Sequence, residues 1–419
     1  MNEEFSFMKE KIKDKPFYKK KWVQILSATV VLAILFGLVS SFVFTKMYDW
    51  LQKKQEQQAM QEIEIPKDQP EDVQQEADNA ESATEDEPEQ VIVEAELTLD
   101  EYKDLHAQMQ AVAKTASKSL VTVTAVNNDV DWFNEAYENS GQYAGMIIDD
   151  NGVELLVLTK YSAVESSDGI NVTFVDDTVA GAVVKKYDIT TDLAVISVNL
   201  SDISDNTKAQ IIKATLGNSM RLEAGTPVIA LGRADGSADS MKSGTLTSTH
   251  NKQSVVDAEY TILVTDMLKN TGSDGVLINL KGEVVGIIQE KHLASNMQNV
   301  ISAYAISDIK SLLEHLSNSQ DIAYLGIKGV TVTPEALRSG VPSGVYVTDV
   351  VMDSPAMLGG VQSGDVLQAI NGQKVTEMSE LTAVLERLSN RKNISLEGRR
   401  LTKDGYKKIN YMTSLSVLE

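Results

Sequence analysis

Residues 269–288, KNTGSDGVLINLKGEVVGII, set a hydroxyl and a carboxylate, Ser273 and Asp274, in a glycine-bearing loop. An apolar strand, a Lys-Gly turn and a second apolar strand follow. A serine in such a loop becomes a nucleophile when a base takes its proton, most often an imidazole oriented by a carboxylate. Four histidines are available: His106, His250, His292 and His315. His106 and His315 fall in helical patterns, and His250 lies in a polar turn, STHNK. His292 follows the hairpin closely and is the one that sequence position brings nearest the loop. A chain with no cysteine has neither thiolate chemistry nor structural disulfides. Four histidines also argue against a histidine-rich metal site, and no metal or other cofactor is expected.

The elements that must position these residues lie in a chain of 419 residues, long enough for two or three domains with cores of their own. The net charge of −22 argues against nucleic acid as a partner, because a phosphate backbone requires a basic face. Residues 22–45, WVQILSATVVLAILFGLVSSFVFT, carry no charge. At about 1.5 Å per residue they can cross a hydrocarbon core of roughly 30 Å. The lysine-rich residues 1–21 precede them, so the expected arrangement is a single-pass cell-membrane protein with a cytoplasmic N-terminus and an extracellular body. Residues 46–96 are expected to be a juxtamembrane helix followed by an acidic, apolar-poor, disordered linker.

From residue 97 a helix passes into a strand at LVTVTAV, with Asp100 as its cap. Short apolar or alternating runs punctuated by Gly, Asn and Asp then continue to about residue 305, as closed antiparallel sheets would require. The expected fold is mostly β, with two six-stranded barrels divided near NLSDISDNTKAQIIKATLGNSM. Residues 306–320 read as a connecting helix with Ile306, Ile309, Leu312, Leu313 and Leu316 on one face. Residues 321–419 form a further α+β unit.

Several stretches carry a resemblance. TDLAVISV, TDMLKNTGSDGVLINLKGEVVGII and AYAIS resemble the HtrA (DegP/DegS-like) trypsin-fold serine proteases. YLGIKGV, GVYVTDVVMDSPAMLGGVQSGDVLQAINGQKV and ELTAVL are similar to the PDZ domain that follows the protease in that family. The resemblance implies a chymotrypsin-like double barrel over residues 97–305 and a PDZ domain over residues 321–419, and it implies a homotrimer. It places the family's histidine at Ser162, in LTKYSAV, and the triad aspartate at Asp192. The nucleophile loop is one residue short, so either Ser273 or Asp274 takes the nucleophile position, with Gly272 and Ser273 at the oxyanion-equivalent amides. A serine cannot act as the base that Ser162 replaces. Lys160 and Lys269 lie nearby but among polar neighbours, whereas a lysine base must be desolvated. For Asp192 the expectation is a structural role, accepting hydrogen bonds from turn amides or from Ser162.

The same resemblance makes Tyr324, Leu325, Gly326 and Ile327 a loop that binds peptide C-termini by β-augmentation. Ser354, Pro355 and Ala356 should form a turn, and Gly364 and Asp365 should precede a buried strand. Leu381, Val384, Leu385 and Leu388 should lie on the groove helix, mostly in the core. The function expected is therefore that of a membrane-anchored protease homologue, without catalysis, that binds peptide or unfolded-protein C-termini. The alternative is an active endopeptidase using Ser273.

Overall fold

The computed structural model describes residues 46–47, 60–68, 98–130, 136–289, 297, 299–388 and 393–417. Residues from Gln61 onward form one compact unit. Helix α1 (Leu99–Ala116) opens on a reciprocal capping box. The Glu101 amide donates to the Thr98 hydroxyl at 3.3 Å, and Glu101 accepts from the Thr98 amide at 2.8 Å. The cap is thus Thr98, and Asp100, expected in that role, lies in the first turn. The side chain that can pair reciprocally with an acidic residue three places on takes the position.

The first barrel contains β1 (Leu120–Val130), β2 (Ala136–Asp150), β3 (Glu154–Lys160), β4 (Gly169–Thr173), β5 (Val179–Asp188) and β6 (Leu193–Asn199). It closes in the order β1-β2-β3-β6-β5-β4. The second contains β7 (Pro227–Arg233), β8 (Ser240–Val255), β9 (Ala258–Leu268), β10 (Asp274–Ile278), β11 (Val284–Ile288) and β12 (Val300–Ala305). It closes as β10-β11-β12-β9-β8-β7. Alternation along β3 separates two cores. Leu155 and Val157 face the barrel interior with Val123, Val172 and Ile196. Leu156 and Leu158 face a core shared with Ile229, Leu231, Val276 and Ile278 of the second barrel. A strand buried on both faces reads as a continuous apolar run, as ELLVL does.

Helix α3 (Ile306–Ser317) adds Ile309, Leu313 and Leu316 to that shared core. Residues 60–68 belong to it too. Ile63 and Ile65 are buried there, and Ile63 exchanges hydrogen bonds with the Asn318 side chain at 2.8 and 2.7 Å. Asp68 pairs with the buried Lys310 at 2.8 Å. This corrects the expectation for that part of the linker: Ile63 and Ile65 alternate at strand spacing, so an extended segment buries both on one face. Among the described residues no helix is long and apolar enough to cross a membrane. The apolar run at 22–45 lies outside them.

The C-terminal sheet orders β14 (Ile327–Thr331), β15 (Val345–Val350), β16 (Val366–Ile370), β18 (Ile394–Thr402) and β19 (Gly405–Thr413), with β17 (Gln373–Lys374) paired to β16. β13 (Ala323–Tyr324) pairs with β20 (Ser416–Val417). Helix α5 (Met378–Leu388) buries Met378, Leu381, Val384 and Leu385, while Leu388 is partly buried against the same core. Ser354 caps a short helix, α4 (Pro355–Leu358), where a plain turn was expected. Proline at the first helical position after a serine cap favours the additional turn.

Candidate active site and peptide-binding loop

Ser162 is the second residue of the one-turn helix α2 (Tyr161–Val164) that follows β3, and Asp192 immediately precedes β6. These strands are neighbours, with Lys160 paired to Leu193, so the two side chains meet. The Ser162 amide donates to Asp192 Oδ1 and its hydroxyl donates to Asp192 Oδ2, each at 2.8 Å. Asp192 is buried, and its φ of 61° is one that a short polar side chain tolerates. The Ser162 hydroxyl proton is thus donated to the aspartate, and a serine hydroxyl cannot take and return a proton near neutral pH as an imidazole does.

Ser273 and Asp274 point to different partners. The Ser273 side chain is fully buried; its hydroxyl donates to the Ala234 carbonyl and accepts from the Asn270 amide, both at 3.0 Å. Its own N–H, one of the two groups expected at the oxyanion-equivalent positions, donates to the Asn270 carbonyl at 3.1 Å. The other group, at Gly272, sits at φ 76° in the same tight loop. The loop therefore folds back on itself, and the Ser273 amide serves the turn.

Asp274 starts β10 and faces the first barrel. Its carboxylate accepts from the Ala144 amide at 3.0 Å and the Gly275 amide at 2.8 Å, and it lies 3.4 Å from Lys160 Nζ. The side chains of Lys160 and Asp274 are only 13% and 7% exposed. Gly275 follows at φ 120°, where a Cβ would come within 2.0 Å of the Leu231 carbonyl oxygen. Lys160 is thus the partner of a carboxylate. Among the described residues neither a lysine nor a histidine hydrogen-bonds to the Ser273 hydroxyl. His106 stacks edge-on against Tyr102 on α1. His250 lies inside β8, not in a turn, with Nδ1 3.0 Å from the Thr249 hydroxyl. His315 on α3 donates from Nδ1 to the Ser311 carbonyl at 2.8 Å. His292 lies outside the described residues.

The loop Tyr324, Leu325, Gly326 and Ile327 joins β13 to β14. Gly326 has φ 87°, and a Cβ there would lie 2.2 Å from Ser354 Cβ, so glycine alone fits. The three successive amides of Leu325, Gly326 and Ile327 all donate to one carboxylate, Asp257, from the turn between β8 and β9. The distances are 2.7 Å from Leu325, 3.0 and 2.8 Å from Gly326, and 3.0 Å from Ile327. Burial pushes the Asp257 carboxyl up to about 6, while the three amides act in the opposite direction. Asp365, at the start of β16, is also buried. Desolvation acts to raise its pKa, but the Arg400 guanidinium, the Gln362 amide and the Tyr411 hydroxyl hold it below the usual carboxylate value.

Comparison with known proteins matches residues 144–287 to a trypsin-like peptidase domain and residues 320–397 to a PDZ domain. Among curated relatives, the serine protease Do-like HtrA of Lactococcus lactis subsp. cremoris is 27% identical over 275 residues, covering 60% of this chain and 66% of that protein. The chain belongs to the HtrA family, with a C-terminal PDZ domain. Do-like HtrB of Bacillus subtilis is 28% identical over 264 residues, covering 58% of this chain and 56% of its own length. Rat serine protease HTRA3 is 30% identical over 234 residues, covering 52% and 48%. The match thus spans about two thirds or less of these HtrA relatives. A solved HtrA-type protease, AlgW with a decapeptide, shares the fold at a TM-score of 0.54 and 20% identity, over 74% of this chain and 98% of that one.

Two contacts of this HtrA chain were not anticipated from sequence. The partnership of Lys160 with Asp274 requires knowing that β3 and β10 face each other across the barrels. Asp257 carried only the weak signal of an aspartate between two alternating runs, and its partners lie about 70 positions further along the chain.

Proposed function

We propose that the barrels are a protease fold without triad chemistry, and that the chain serves as a membrane-anchored, extracytoplasmic binding or scaffolding protein of the envelope. The observation that carries this reading is the pairing of Ser162 with Asp192, at 2.8 Å for both bonds, where the mechanism needs an imidazole. The burial of Ser273 against the Ala234 carbonyl supports it. So does the pairing of Lys160 with Asp274, which engages that lysine with a carboxylate instead of leaving it as a base for Ser273. The anchoring rests on the uncharged run at 22–45 and its lysine-rich flank. Recognition of peptide C-termini rests on the PDZ domain, whose loop offers three N–H groups to a carboxylate. An endopeptidase using Ser273 is the competing reading. It would require the hydroxyl to leave two backbone partners and find a base.

The test is cleavage of casein by the full-length chain in detergent, compared with its Ser273→Ala form. Equal, background-level rates are expected. Cleavage by the unaltered protein that Ser273→Ala abolishes would replace the scaffold reading with that of a working hydrolase.

A further inference from the structure

The PDZ carboxylate loop already holds a carboxylate, supplied by the same chain. The β8–β9 connection is a two-residue turn, Val256 and Asp257, inside the Val255–Ala258 pair. Asp257 adopts φ 59°, a left-handed conformation that aspartate tolerates. Besides its three amide contacts to the carboxylate loop, the turn pairs along the groove. The Asp257 amide donates to the Ile327 carbonyl at 2.8 Å, and Val256 forms an antiparallel bridge with Lys328. The Ser254 hydroxyl donates to the Gly329 carbonyl at 2.8 Å, and Thr382 on α5 donates to the Asp257 carbonyl at 2.9 Å. An external chain end adding to the sheet would use the same loop amides and the same edge of β14.

Neither domain packing nor a hairpin tip calls for a carboxylate at this point. Burying one is costly unless it is fully hydrogen-bonded, and Asp257 is only 8% exposed. Three convergent N–H groups meet that condition, and they would otherwise lack partners in a buried loop. The carboxylate and the loop are therefore complementary as ligand and receptor are.

We infer that the Val256–Asp257 turn is a built-in pseudo-ligand that occupies the PDZ carboxylate loop, so that an external peptide C-terminus binds only after the turn has left. This rests on the reading of the PDZ domain as a peptide binder. The turn is tethered, so its effective concentration is high. The apparent peptide affinity is reduced by the fraction of molecules in which the loop is open. Peptide entry also breaks the turn's contacts with β14 and α5, and so loosens the PDZ domain from the second barrel.

The test uses the full-length chain in detergent and two variants: Asp257→Asn, of the same size, and Asp257→Gly, which accepts the same φ. The probes are fluorescein-labelled Gly-Ser decapeptides ending in Ala, Val, Leu, Ile or Phe, each with a free or amidated C-terminus. Fluorescence anisotropy reads binding, and hydrogen exchange reads the amides of Leu325, Gly326 and Ile327. The expected result is faster exchange at those amides in both variants, and binding of free-carboxylate peptides tighter by about tenfold or more, with no gain for amidated ones. Variants that bind no better than a wild-type chain that does bind would overturn the pseudo-ligand and leave peptide recognition standing. Unchanged exchange would overturn it as well. If the loop amides are freed and no form binds any peptide, peptide recognition itself fails, and the contact is a structural clasp.

Discussion

Breaking the ion pair between Lys160 and Asp274 should reveal how strongly it holds the two barrels together. At 3.4 Å the gross attraction is about 5 kcal/mol for an effective dielectric constant near 20, and desolvation offsets much of it. Lys160→Met leaves a buried carboxylate supported only by the Ala144 and Gly275 amides. The expected cost is about 3 kcal/mol, at the lower end for a broken buried pair because those two donors remain. Asp274→Asn keeps the shape and strands the lysine, whose side chain has somewhat more access to water. Its cost should be about 2 kcal/mol. The double variant removes both charges and should cost less than the sum, with a coupling energy of about 2 kcal/mol or more. Urea denaturation followed by far-UV circular dichroism gives the four free energies. Additivity within about 0.5 kcal/mol would mean that the two charges act independently, refuting the idea that the pair clamps the barrels together.

Ser162→His should return an imidazole to its family position without restoring casein cleavage, because Ser273 stays buried against the Ala234 carbonyl; measurable turnover in that single variant would show the loop to be competent. Arg400→Met should destabilise the PDZ domain by about 3 kcal/mol, read by denaturation, because it leaves the buried Asp365 without its cation. In the wild-type domain the lowered pKa of Asp365 contributes stability that is present above the unfolded value of 3.8 and lost as pH falls through the lower folded value, so an acid titration should unfold the PDZ domain more readily than it unfolds Arg400→Met relative to its own neutral stability. Asp257, faced by Tyr324 and Lys328 on the loop side, by Glu386 on α5 and by Asp188 and Tyr260 of the barrels, has the opposite sign. With a docked value of about 6 against 3.8 when free, the docked turn gains a proton on acidification, so free-carboxylate peptides should bind about tenfold more weakly at pH 5 than at pH 7.5; tighter binding at pH 5 would contradict the buried-carboxylate geometry.

Much of the architecture was legible because period-2 alternation and glycine-punctuated apolar runs determine where strands lie. The shared face of Leu156 and Leu158 shows as an unbroken apolar run for the same reason. The reading of Ser162 as the position of the family's histidine rests on the flanking motif alone, since a serine after LTKY has no periodic or compositional signature. The segment at residues 60–68 was misread because its surroundings are polar, while its two isoleucines, one residue apart, are buried by a helix some 250 positions away. Asp257 shows the limit most clearly. Nothing local distinguishes it from an ordinary turn aspartate, and its role arises from a loop in another domain.

The central claim is that no base activates the Ser273 hydroxyl. Treating the full-length protein with a fluorophosphonate probe and mapping adducts by mass spectrometry tests it most directly. The account calls for no adduct at Ser273 above the level in Ser273→Ala. Stoichiometric labelling of Ser273, lost in that variant, would contradict it.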